Sequence, residues 1–129
     1  VLGLIRVLTN FDMDSKLVVS VLLVGQPRLR NLLRRDDLED IARRLSHIAT
    51  LRPLTPVETG RYLEHRLNIA GASATPFATD AVEAIFEIGR GNLRATDRVA
   101  LKAMEVAWQQ GSAAVDANHA IEARQLLWP

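Results

Sequence analysis

Lys16 to Arg35, KLVVSVLLVGQPRLRNLLRR, decides how this chain is read. Leu17 to Val24 is nearly uniformly apolar and rich in β-branched residues, and it stops at Gly25, Gln26 and Pro27 before an amphipathic, Arg-bearing segment. That pattern predicts a strand buried on both faces, a sharp turn and then a helix. In open α/β sheets, ligands are held beyond the carboxyl ends of such strands, which makes Gln26, the first polar side chain past the apolar run, a candidate functional residue. The same residues also suit an ordinary core strand closed by a Gly-Gln-Pro turn.

The chain of 129 residues is the size of one domain, or of a small domain with part of another. Hydrophobic residues at 48% and charged residues at 24% fit a packed core and argue against intrinsic disorder. No apolar run approaches the roughly 20 residues that span a bilayer, and no signal-peptide pattern is present, so a cytoplasmic protein without direct membrane insertion is expected. Cysteine is absent, which excludes disulfides and thiolate metal sites. A formal charge of +1 gives no overall pull toward nucleic acid or membrane. Arg supplies 14 of the 16 basic residues, and nine of these fall between Arg28 and Arg66. A rigid planar fork that never deprotonates suits phosphate, although a GC-rich genome would give the same bias.

Along the chain, Leu4, Ile5, Leu8 and Phe11 have helical spacing, and Asp12 to Lys16 reads as a polar turn. Because the first helix opens without a cap, the chain reads as the later part of something longer. A short helix over Arg28 to Arg35, interrupted near Asp36-Asp37, leads to a second apolar stripe of Leu38, Ile41 and Leu45. Ser46 to Leu51 alternates in the manner of a second strand. From there the pattern is helical. Thr55, Pro56 and Glu58 form a capping box with proline at the first helical position. That helix is expected to reach Ala70 and stop at Gly71. Thr79 or Asp80 should cap the next helix, which buries Val82, Ile85 and Phe86 and ends at Gly89. Gly91-Asn92 opens a longer one through Leu93, Ala100, Ala103, Met104 and Ala107 to Gly111. Asp116 caps the last, with Ile121, Leu126 and Leu127 inward.

Several chemistries are excluded by what is missing. Neither a G-x-S-x-G elbow nor a cysteine nucleophile is present. His47, His65 and His119 are too scattered for a metal site and read as surface or packing residues. The acidic cluster at Asp36, Asp37, Glu39 and Asp40 lies among arginines and reads as a solvated ion-pair face. No G-x-x-x-x-G-K-[ST] loop occurs, nor an apolar strand ending in Asp-Glu. Two arginines stand where phosphate chemistry could use them. Arg44 ends a helix just before the expected second strand. Arg94 lies one turn inside the helix opened by Gly91 and Asn92, where N-terminal amides and a guanidinium together suit an anion.

Taken in order, the apolar strand with Gly-Gln-Pro, the Arg-Arg-Leu, the Leu-Thr-Pro-x-Glu helix start and the later Gly-x-x-Arg resemble the back half of an AAA+ ATPase. The likeness is to the general secretion pathway protein A group and the related transposition ATPases, carried by LLVGQPRLRNLL and RPLTPVETGRYLEHRLNIAG and covering nearly the whole chain. The resemblance implies a mainly α chain with a remnant of a parallel α/β sheet of one or two strands. Residues 1–54 would be the end of the α/β core, and residues 55–129 a four-helix lid. It implies that Gln26 orients the attacking water after the sensor 1 strand. Arg44, or Arg43 if the register is one residue off, would be the arginine finger that reaches a neighbouring subunit's nucleotide. Arg94, with Gly91 and Asn92, would be the sensor 2 contact of the lid.

What departs from the family is the front: the phosphate loop and magnesium-binding acid are missing. ATP and magnesium are therefore expected in a full-length protein and not bound tightly by this chain alone, which would be catalytically inactive. The same gap leaves Leu17 to Val24 and Ser46 to Leu51 expected to pair with each other or with another copy. Expected partners are neighbouring subunits of the same ATPase, with DNA, a transposase or a secretion-complex protein as the target. The alternative from another class is a helical DNA-binding or protein-interaction module that lays Arg28 to Arg66 on phosphate backbone.

Overall fold

The computed structural model describes residues 20–127. The chain divides between Thr50 and Leu51 into two compact units. The expected helix over Val1 to Phe11, the turn over Asp12 to Lys16 and the first strand residues, Leu17 to Val19, lie outside the described residues. What is described is mainly helical, as the sequence pattern requires.

In the first unit, Pro27 starts a short helix, α1 (Arg28–Leu32), where its missing N–H costs nothing. The Leu29 amide donates to the Gln26 carbonyl at 2.8 Å and so turns the chain into it. A single 3-10 turn (Asp36–Leu38) precedes α2 (Glu39–Arg43), and Ile41 is buried where the apolar stripe predicts. Two expectations fail here. Ser20 to Val24 and Ser46 to Leu51 are irregular, with no strand pairing among the described residues. Alternation and β-branching favour a strand only where a neighbouring strand takes up its N–H and C=O groups. Without one, Leu22 stays 86% and Leu51 96% exposed.

Among its described residues the second unit holds four helices: α3 (Pro56–Ile69), α4 (Thr79–Gly89), α5 (Leu93–Gln109) and α6 (Ala117–Leu127). The capping box forms as read. Thr55 accepts from the Glu58 amide, and the Glu58 carboxylate accepts from the Thr55 amide at 2.8 Å. The N-cap of α4 is Ala78, not Thr79 or Asp80. Asp80 lies inside the first turn, where its carboxylate accepts from the Ala81 amide at 2.9 Å and from the Ala117 amide at the start of α6 at 3.3 Å. A single parallel bridge between Phe77 and Val115 ties together the loops ahead of α4 and α6.

The core lies between α4, α5 and α6, which pack most extensively on one another. Ile85 and Val99 are fully buried, each contributing about 1.5–3 kcal/mol of hydrophobic stabilisation. Ala100, Ala103 and Ala107 share this core with Ala120 and Ala123, because small side chains let helices approach closely. That explains a second correction. With Ala120, Ala123 and His119 occupying the inner face of α6, Ile121 and Leu126 point outward, and Leu93 at the start of α5 is likewise exposed.

α3 meets the turn before α5 through backbone. The Leu54 amide donates to the Gly91 carbonyl at 2.9 Å, and Gly91 has φ +70° with Leu54 backbone where a Cβ would stand. Gly111 has the same φ but open space around it. Gly111→Ala should therefore cost only the left-handed strain, about 1 kcal/mol, whereas Gly91→Ala adds a clash that breaks the Leu54 bond. Chemical denaturation should show a loss for Gly91→Ala clearly larger than that for Gly111→Ala, by about 1–3 kcal/mol.

Candidate functional site

The start of α5 concentrates three of the candidate residues. Asn92 is the N-cap, and its side-chain oxygen accepts from the Ala95 amide at 3.1 Å. Gly91 is buried against Leu54. Both shape the turn, and Asn92 is exposed while Gly91 is buried. Arg94 differs. It is exposed on the first turn of a 17-residue helix that carries no acidic residue in that turn, and no hydrogen bond or ion pair holds its guanidinium among the described residues. A cation free to turn, beside the positive end of a helix dipole, is an arrangement that accepts an anion.

One turn further, Asp97 receives the Tyr62 hydroxyl, which lies 3.0 Å from both carboxylate oxygens. This side-chain link between α3 and α5 spans 35 residues and has no local sequence signature. Burial pushes the Tyr62 hydroxyl pKa up, and the hydrogen bond to Asp97 adds to the shift.

The entry to α3 is held by charge. Arg52 donates two hydrogen bonds at 2.7 Å to the two oxygens of Glu58, in the bidentate geometry that suits a guanidinium. Glu58 thus accepts from Arg52 and from the Thr55 amide together. The Arg52 bond first, and Thr55 after it, hold the Glu58 carboxyl at about 2, well below its ordinary 4.5.

In the first unit, Gln26 is exposed just ahead of α1, and its side chain makes no hydrogen bond among the described residues. Arg43 is exposed and bonded to Glu39 at 2.7 Å, one helical turn back. Arg44 is the exposed C-cap of the same helix. Arg43 and Arg44 are thus brought together at one helix end, and Gly91, Asn92 and Arg94 at one helix start. No group of three or more His, Cys, Asp or Glu is arranged to hold a metal ion among the described residues, and no helix there is long and apolar enough to cross a membrane.

Comparison with known proteins finds a relative of partial extent. The chain is 31% identical over 112 residues to General secretion pathway protein A of Aeromonas hydrophila, an alignment that covers 87% of this chain and 20% of that protein. The chain thus spans about a fifth of the length of the curated relative it matches. No family model matches, and no solved structure matches.

The Glu58 pairing gives a pH dependence of known sign. A carboxyl whose folded pKa lies below its unfolded value stabilises the fold above about pH 4.5, and that contribution is lost as pH falls toward 2. Glu58→Gln should lower the melting temperature at pH 7 and flatten the acid limb between these values, in a pH series of thermal melts.

Proposed function

We propose that this chain is the sensor 1, arginine-finger and lid portion of an oligomeric AAA+ ATPase that acts in the assembly of a secretion complex. The observation that carries the reading is Arg94: an exposed guanidinium without a partner among the described residues, on the acid-free first turn of α5, where the Gly-x-x-Arg of such lids would meet phosphate. The likeness to General secretion pathway protein A over most of the chain supports it and favours the secretion branch over transposition.

ATP with magnesium, when bound, supplies the phosphoanhydride that is hydrolysed. The phosphate loop and the magnesium-binding acid would come from residues upstream of Val1, since no such motifs occur here. Within this chain, Arg94 neutralises phosphate charge from the lid side. Gln26, with an uncommitted side-chain amide, hydrogen-bonds and aims the attacking water. Arg44 reaches from the end of α2 toward the nucleotide of a neighbouring subunit and stabilises the charge that develops on the transferred group. Arg43, bonded to Glu39, is the second candidate for that role. The partners are accordingly further copies of the same ATPase and a protein of the secretion complex.

The test is ATP hydrolysis by the chain produced together with its upstream coding sequence. Turnover is expected, and Arg44→Ala should lower kcat by about 10³-fold or more, as removal of an arginine finger does. Absence of hydrolysis, or full activity in both Arg44→Ala and Arg43→Ala, would contradict the reading.

A further inference from the structure

Arg94 and Asp97 are three residues apart on α5, a spacing at which opposite charges on a helix are neighbours and commonly pair. No such pair is formed. Asp97 is instead turned to α3, where the Tyr62 hydroxyl stands 3.0 Å from each of its oxygens, and Arg94 is left without a partner among the described residues. Tyr62 is half-buried, so its ring is fixed by packing and its hydroxyl is presented in one place. The Leu54 to Gly91 backbone bond, a few residues before each partner, keeps α3 and the start of α5 at the separation this contact needs.

We propose that Tyr62 is a positioning residue for Arg94: its hydroxyl holds the Asp97 carboxylate turned toward α3 and so away from an ion pair along α5 that would compete with phosphate for the guanidinium. The inference rests on the reading of Arg94 as a phosphate contact and adds how that contact is kept open. Tyr62 does not touch the nucleotide. Its effect passes through Asp97, and it is therefore cancelled when the carboxylate is removed.

The experiment measures KM for ATP and kcat in the upstream-extended ATPase for Arg94→Ala, Tyr62→Phe, Asp97→Asn and the double variant Tyr62→Phe/Asp97→Asn. Thermal melts of each check the fold. Tyr62→Phe should raise KM about two- to fivefold, the range set by an exposed ion pair, with kcat little changed. Asp97→Asn in the same chain should bring KM back to the wild-type value although it does nothing to restore the lost hydroxyl. If Tyr62→Phe leaves KM unchanged, or if the double variant stays as impaired as Tyr62→Phe, the positioning role is overturned while a raised KM in Arg94→Ala keeps the phosphate reading. If Arg94→Ala itself leaves KM unchanged, the phosphate reading fails and the positioning role with it.

Discussion

A backbone hydrogen bond between Leu54 and Gly91 is the constraint on which the helical unit depends. It joins the residues that lead into α3 to the turn that starts α5, and it forms only because residue 91 has no side chain. With φ +70° and the Leu54 backbone where a Cβ would lie, this position admits glycine on two counts at once. The φ alone would not be decisive, since a positive φ costs an ordinary residue about 1 kcal/mol and is tolerated elsewhere, as at Arg90 with φ 50°; the overlap with the Leu54 backbone is what excludes a side chain.

From that contact the remaining order follows. Once Leu54 is placed, Thr55 is in position to cap α3, and Glu58 can close the capping box while holding Arg52. Once Gly91 is placed, Asn92 caps α5, and the helix runs with its alanine face against α6. Tyr62 then lies opposite Asp97. The side chains that carry the functional reading are thus set by a chain of local contacts whose energies are individually about 1 kcal/mol, and whose geometry is fixed by a core that buries Ile85 and Val99 completely.

How much of this the sequence discloses depends on the range of each interaction. The Thr55-Pro56-Glu58 box, the Asn92 cap and the stops at Gly71 and Gly111 are each set by residues within four positions, and all are legible. The Ser46 to Leu51 strand fails because alternation describes a face and cannot supply a hydrogen-bonding neighbour. Ile121 and Leu126 are misplaced for a related reason: hydrophobicity ranks them above Ala120 and Ala123, yet close helix packing selects the smaller side chains. Among the candidate residues, the place of Arg94 on the first turn of α5 is legible from its offset to the Gly-Asn helix start. The contact of Gly91, read as opening the Arg94 helix, with Leu54, 37 positions away in sequence, and that of Tyr62 with Asp97 leave no trace in any local window.

The central claim is that Leu54 is locked to the start of α5 and is not part of a loose connection. Native-state hydrogen exchange of the Leu54 amide tests it most directly. The bond to Gly91 predicts exchange as slow as that of the core amides of α5, opening only with the whole helical unit. Exchange at the fast rate of an exposed linker amide, while α5 stays protected, would contradict it.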